Sequence, residues 1–165
     1  NFIQIDEPSF AIIPGTIKDW ISLYNAAVDG VDAKIALHVC FGNLSSRSRG
    51  KRTYDWMFPE LLGAKADQLV FEFANREMSE SDLWQRFDID LELGAGVIDI
   101  KSFYVEKPED VAERIRHILK YVPPEKLYLN PDCGFFQLPR WLSYLKLKAL
   151  VAGTKIVREE LTGKK

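Results

Sequence analysis

Short apolar runs alternate with longer amphipathic stretches along this chain of 165 residues. The apolar runs predict strands at residues 2–6, 34–40, 68–73, 96–100 and 126–130. Each run is nearly continuously apolar, which is typical of strands that are covered on both faces, as in a parallel sheet. The amphipathic stretches predict helices at residues 16–28, 53–62, 81–87, 108–121 and 139–161, of which the second is interrupted by Pro59.

A strand followed by a helix, repeated about every 30 residues, is typical of two α/β architectures. One is the open doubly wound sheet, and the other is the (β/α)8 TIM barrel. Periodicity alone does not choose between them. In both folds, ligands bind beyond the carboxyl ends of the strands, so the residues at those ends are the candidates for chemistry.

Composition excludes several classes of protein. The 22 basic and 24 acidic residues give a net charge of −2, which predicts no binding to nucleic acid or to an acidic membrane surface. No apolar run approaches the ~20 residues that span a bilayer. Two cysteines are too few for a disulfide scaffold and the first residues lack a signal-peptide pattern, so we expect a reducing, cytoplasmic setting. The polar stretch 45–52 fits a lid, an anion clamp or a solvated loop.

Four residues at the predicted strand ends have side chains that bind metals. His38 and Cys40 are two apart on one strand, so both side chains point to the same face. Glu72 ends the next strand, and Cys133 follows the last one. One imidazole, two thiols and a carboxylate suit zinc, whereas sulfur disfavours magnesium and calcium. Two structural roles stay open: His-x-Cys packed in the core, and a salt bridge for Glu72.

Five motifs in this chain resemble, in order and spacing, the C-terminal catalytic barrel of the cobalamin-independent methionine synthases. They are QIDEP at 4–8, HVC at 38–40, FEFAN at 71–75, GVIDIK at 96–101 and NPDCG at 130–134. The stretch KLKALVAG at 146–153 is similar to the last helix of that family. The resemblance covers nearly the whole chain and favours the (β/α)8 barrel.

The resemblance implies a ligand set and a reaction. By it, His38, Cys40, Glu72 and Cys133 hold zinc, and we expect Glu72 to yield when a substrate sulfur arrives. Asp6 is expected to bind the amino group of a homocysteine-like thiol, with Glu7 either assisting it or accepting backbone hydrogen bonds. The implied enzyme is a methyltransferase that forms methionine from homocysteine, with methyltetrahydrofolate or a methylcorrinoid as the donor.

Lys101 departs from the pattern of the family. Folate-dependent members carry a histidine there, thought to protonate the departing folate nitrogen. We predict that Lys101 is catalytic, as that acid, unless it forms an ion pair with Asp99 or Glu72 instead. A methylcobalamin donor would need no acid. The sequence also leaves open alkyl transfer to another thiol such as coenzyme M, a noncatalytic partial barrel, and a uroporphyrinogen decarboxylase-like barrel, which needs no zinc.

The length sets one further expectation. A complete (β/α)8 barrel takes ~250 residues and eight strands, whereas five strands are predicted here. The chain begins without Met, inside an apolar run. We therefore expect residues 1–165 to be the C-terminal part of a single catalytic barrel whose N-terminal strands are missing, and which self-associates or associates with that missing part.

Overall fold

The computed structural model describes residues 1–42 and 50–164, so residues 45–49 of the polar stretch 45–52 lie outside it. Its strands are β1 (Phe2–Asp6), β2 (Lys34–Val39), β3 (Gln68–Glu72), β4 (Glu92–Ile98) and β5 (Leu127–Pro131). Its α-helices are α1 (Ser9–Ile12), α2 (Ile17–Ala27), α3 (Leu83–Arg86), α4 (Pro108–Ile118) and α5 (Arg140–Thr162). Short 3-10 helices lie at Asp55–Met57, Glu60–Gly63, Ala74–Arg76 and Pro124–Lys126. In the described part of the chain, no helix combines the length and apolar composition that crossing a bilayer requires.

The order of the strands distinguishes the two α/β architectures. All five strands are parallel, and they pair in the order β1-β2-β3-β4-β5. A doubly wound sheet reverses its strand order at a switch point, and no reversal occurs among the five strands of the described residues. Crossovers between parallel strands are right-handed, so in this strand order all the connecting helices lie on one face of the sheet. The fold is therefore α/β, with five consecutive units of a (β/α)8 barrel.

The two faces of the sheet carry different side chains. Alternate residues of the central strands pack under the helices and form the apolar core, which includes Ile35, Leu37, Val39, Leu69, Phe71, Leu93, Ala95 and Val97. The intervening positions point to the opposite face. These include His38 and Glu72, both buried. The face away from the helices thus holds the polar residues, as the interior of a barrel does.

Local sequence signals fix the starts of α2 and α4, two of the helices that cover the sheet. Thr16 caps α2: its hydroxyl accepts a hydrogen bond from the N–H of Asp19, and the Asp19 carboxylate accepts one from the N–H of Thr16, each at 3.3 Å. Pro108 is the first residue of α4, where its missing N–H costs nothing. The predicted helix 53–62 is replaced by two 3-10 helices on either side of Pro59.

The fourth strand differs most from its prediction. It begins at Glu92 rather than at residue 96, and it ends at Ile98. The strand contains Gly94 and Gly96, which disfavour a strand when only local propensity is considered. Both glycines are required by close neighbours, because a Cβ atom on Gly94 would lie 2.8 Å from Val70 Cγ2 and one on Gly96 would lie 2.4 Å from Asp132 Oδ1.

Replacing Gly96 with alanine is expected to destabilise the protein by about 1–3 kcal/mol, because the new methyl group would also lie 2.8 Å from the backbone Cα of Asp132. Gly63→Ala is the matched control, since a Cβ atom there lies an ordinary 3.9 Å from its neighbour. Urea denaturation of both variants measures the difference. Equal midpoints for the two variants would show that β4 tolerates a side chain at residue 96.

The edge strands of the sheet expose apolar side chains. In β1, Phe2 is 52% exposed and Ile3 is 42% exposed, and in β5 Tyr128 is 45% exposed. Within the described residues, β1 pairs with β2 alone and β5 with β4 alone. Both edges therefore present backbone groups and apolar surface on which further strands can pair.

Candidate metal centre

Three of the predicted ligands meet at the carboxyl end of the sheet. His38 lies near the end of β2, Cys40 follows that strand, and Cys133 follows β5. Their ligand atoms all lie within 4.8 Å of one another. Two strands separate β2 from β5, and three spacings in a flat sheet span about 14 Å. The contact therefore needs the sheet to curve as the wall of a barrel does.

The imidazole of His38 is oriented as that of a metal ligand. The side chain is buried, and Nδ1 lies 3.0 Å from the carbonyl oxygen of Val70 on the neighbouring strand. Histidines that bind metals commonly donate their other ring N–H to such a carbonyl. Nε2 is also buried and makes no hydrogen bond within the described residues. A metal ion bound to the two sulfur atoms could also bind Nε2, which would then have a partner. The three residues therefore fit a zinc ion.

The surroundings of Cys40 oppose the ionisation of its thiol. The neighbouring Cys133 thiol, followed by burial, raises the pKa of Cys40 far above its usual range. For His38, burial lowers the pKa, but contact with Cys133 and the charge of Asp6 outweigh burial and raise it. Without a cation, Cys40 is therefore a protonated thiol at neutral pH. A bound metal would reverse this, because a coordinated thiol loses its proton.

Glu72 and Lys101 form an ion pair beside the three-residue group. Glu72 is fully buried, and its Oε2 lies 3.0 Å from the Nζ of Lys101. The same oxygen accepts a hydrogen bond of 3.0 Å from the Nδ2 of Asn75. Glu72 is not one of the residues whose ligand atoms lie within 4.8 Å of one another. The structure thus places the fourth predicted ligand next to the centre, bound to a lysine.

Asp6 and Glu7 lie at the end of β1. Asp6 is in register with His38 on the next strand and accepts a hydrogen bond of 2.8 Å from Gln4. Glu7 accepts a hydrogen bond of 2.9 Å from the backbone N–H of Ser9, which is one of the two roles predicted for it. Asp6 therefore lies beside the group formed by His38, Cys40 and Cys133, and Glu7 holds the start of α1.

A cleft of about 480 Å³ opens beside the centre. Its lining combines the two thiols, a carboxylate and apolar side chains, among them Asp6, Ile12, Cys40, Ile100, Cys133 and Phe136. An apolar cleft with a few polar groups is typical of a small-molecule site. A small molecule bound here would contact both thiols and Asp6.

Asp132 and Asn75, which the sequence patterns left without a role, brace this end of the sheet. Asp132 is fully buried and accepts hydrogen bonds of 2.7–2.9 Å from the backbone N–H groups of residues 73, 74 and 75. It also accepts one of 2.7 Å from the side chain of Asn75. Burial raises the pKa of Asp132 to about 7, against these hydrogen bonds, which lower it. In the sequence, the only indication of a role for Asp132 and Asn75 was that both follow predicted strands and lie close to candidate ligands.

Comparison with known proteins identifies relatives over nearly the whole chain. Residues 1–155 match a family model described as "Cobalamin-independent synthase, Catalytic domain". A methionine synthase of Saccharolobus islandicus (strain Y.G.57.14 / Yellowstone #1) is 42% identical over 164 residues, which cover 99% of this chain and 46% of that protein. A methionine synthase of Thermococcus kodakarensis is 39% identical over 161 residues, 98% of this chain and 45% of that protein. The chain spans about half the length of the curated relatives that it matches.

A solved structure agrees with the described fold. The B12-independent methionine synthase from Shewanella sp. W3-18-1, in complex with selenomethionine, superimposes with a TM-score of 0.84 at 30% identity. The match covers 98% of this chain and 50% of that one. The five βα units therefore correspond to about half of the matched structure.

Proposed function

This chain belongs to the cobalamin-independent synthase family, and from that premise we propose that it carries the zinc-binding half of a methyltransferase that methylates the thiol of homocysteine to form methionine. The observation that supports this most directly is the convergence of His38, Cys40 and Cys133 beside a cleft. One imidazole and two thiolates are a ligand set typical of catalytic zinc sites.

Zinc in this centre would keep a substrate thiol deprotonated at neutral pH, whereas a free thiol has a pKa of ~8.5. The residues of the chain would bind and orient the substrate. Asp6 lies at the cleft and is placed to bind the ammonium group of an amino acid. The buried side chain of Ile100 supplies an apolar wall that would limit the access of water to the reacting atoms.

The transfer itself forms a bond between the thiol sulfur and the methyl carbon while the bond from that carbon to the donor breaks. Holding both partners in line supplies much of the rate. If the donor is methyltetrahydrofolate, its departing nitrogen takes a proton, and Lys101 is the residue predicted to give it. If the donor is a methylcorrinoid, no acid is needed.

We also propose that other strands complete the barrel. The half-exposed side chains of β1 and β5 and the greater length of the relatives support this. The additional strands would pair with both edges, from another segment of polypeptide or from another chain. Location in the cytoplasm and the lack of nucleic-acid and membrane partners remain predictions of the sequence.

Metal analysis and a methyl-transfer assay of the intact protein test the proposed function together. We expect one zinc per chain after purification under reducing conditions, and methionine when homocysteine is supplied with methyltetrahydrofolate or methylcobalamin in separate reactions. A chelator should abolish the activity and added zinc should restore it.

Three results would contradict the proposal. Protein without zinc would favour a decarboxylase-like barrel, and zinc without methyl transfer would favour a noncatalytic partial barrel. Transfer to coenzyme M but not to homocysteine would change the acceptor. Methionine formed only from methylcobalamin would remove the acid role predicted for Lys101.

A further inference from the structure

The hydroxyl of Tyr54 links the carboxyl ends of β2 and β3. Tyr54 lies in the segment between these two strands, and it is 0% exposed. Its hydroxyl donates a hydrogen bond of 3.0 Å to the carbonyl oxygen of Val39. The same hydroxyl accepts one of 2.9 Å from the backbone N–H of Glu72. A single side-chain oxygen therefore joins the last residue of β2 to the last residue of β3.

Both of the linked residues adjoin predicted metal ligands. Val39 lies between His38 and Cys40 in the chain, and Glu72 is itself the fourth predicted ligand. The ends of strands are the parts that open most readily, so ligands placed there need support from outside the ladder. Because the bonds from Tyr54 reach main-chain atoms, they fix the positions from which these side chains start, whichever way the side chain of Glu72 turns.

The ring of Tyr54 is held firmly enough to place that hydroxyl. It stacks on the ring of Phe71 with centroids 4.0 Å apart and an interplanar angle of 9°, and its centroid lies 4.6 Å from that of Phe41. The guanidinium carbon of Arg76 lies 5.0 Å from the centroid of the Tyr54 ring. The backbone N–H of Tyr54 donates to the Glu80 carboxylate at 3.0 Å. These contacts on the ring and on the main chain leave the hydroxyl little freedom.

Packing by itself does not require this hydroxyl. Three rings that contact Tyr54, those of Phe41, Phe71 and Phe73, are phenylalanines, and a phenylalanine at residue 54 would stack in the same way. A hydroxyl in an apolar core costs free energy unless it is hydrogen-bonded. What the hydroxyl adds to the core is therefore the link between the two strand ends.

We propose that Tyr54 is a positioning residue whose hydroxyl sets the spacing between the main-chain segments that carry Cys40 and Glu72, and through that spacing the geometry of the metal centre. This inference rests on the proposed function, because it requires a metal to bind at that centre. The effect passes through the main chain, in the way that groups behind metal ligands orient them and raise the affinity of the site.

Tyr54→Phe removes the hydroxyl and keeps the ring, and zinc dissociation constants of the intact protein, measured by competition with a chromophoric chelator, test its effect. We expect zinc binding to weaken about 10-fold, as when other groups that support metal ligands are removed. The bands in the visible spectrum of the cobalt-substituted protein should also shift, because the ligands are then held in a different arrangement. A loss of stability alone would lower the amplitude of these bands and leave their positions unchanged.

Tyr24→Phe is the matched control. Tyr24 is also buried, and its hydroxyl donates a hydrogen bond of 3.5 Å to the carbonyl oxygen of Lys65. Lys65 precedes β3, so this bond lies at the opposite end of the sheet from the metal centre. The control variant should keep the zinc affinity and the cobalt spectrum of the wild type, even if its urea midpoint falls as far as that of Tyr54→Phe. The urea midpoints also show that both variants are folded.

Three results would overturn the inference. If Tyr54→Phe binds zinc as tightly as the wild type and keeps its cobalt spectrum, Tyr54 is a core residue only. Equal weakening by Tyr54→Phe and Tyr24→Phe, or weakening without a shift of the cobalt bands, would attribute the loss to stability. A wild-type protein that binds no zinc overturns the proposed function and this inference together, whereas the other contrary results overturn this inference alone.

Discussion

Replacing His38 with alanine is expected to remove zinc from the intact protein and to abolish methyl transfer to homocysteine. The imidazole is one of the three side chains that meet at the centre, and its Nδ1 is already oriented by the carbonyl of Val70. Loss of such a ligand should weaken zinc binding by at least about 100-fold. Metal content after dialysis and the rate of methionine formation measure the two effects.

The chain offers a matched control, because His117 is its second and last histidine. It lies on α4, where its ring contacts that of Tyr121 with centroids 5.7 Å apart. His117→Ala should keep the zinc content and the activity of the wild type. If His38→Ala keeps one zinc per chain after dialysis, the three-residue centre is not the metal site.

Replacing Lys146 with methionine is expected to lower the free energy of unfolding by about 3–5 kcal/mol. Lys146 on α5 is completely buried, and its Nζ donates to Glu106 at 2.9 Å and to the carbonyl oxygen of Tyr104 at 2.5 Å. The substitution leaves the buried carboxylate of Glu106 without its closest cation, with Arg114 at 3.5 Å as the remaining ion-pair partner among the described residues.

Lys148→Met is the control, because Lys148 lies two residues away on the same helix and is exposed. Urea denaturation of the intact protein should show a much lower midpoint for Lys146→Met and little change for Lys148→Met. The double variant that also carries Glu106→Gln should lose less than the sum of its single variants, since the two residues share one interaction. Equal midpoints for Lys146→Met and Lys148→Met would contradict a stabilising role for the buried pair.

The Lys146 pair bears on the centre as well as on stability. Glu106 accepts the hydrogen bond from Asp99, whose carboxylate holds the backbone of Lys101. The last helix is therefore connected through Lys146 and Glu106 to the segment that carries Lys101. Nothing in the local pattern around residue 146 indicated this, because a lysine among apolar residues of an amphipathic helix is usually exposed.

Much of the fold was predictable because its signals are local. The apolar runs located four strands within one residue at each end, since strands buried on both faces need such runs. The fourth strand was misplaced at its start because Gly94 is required by Val70 on the neighbouring strand, and local propensity does not contain that neighbour. Periodicity alone did not distinguish a barrel wall from a doubly wound sheet, whereas the family resemblance favoured the barrel and the pairing order of the strands agrees with it.

The sequence by itself determined the chemistry that this protein can offer: one histidine and two cysteines at strand ends, with a carboxylate and a lysine nearby. The sequence also determined that the side chains of His38 and Cys40 point to the same face of the sheet, because the period of a strand is two residues. The tertiary structure alone decided which of these groups meet. Curvature brings Cys133 to His38 and Cys40, and Lys101, from the loop after β4, binds Glu72. Both contacts join residues far apart in the chain, and their geometry depends on the curvature and packing of the whole sheet.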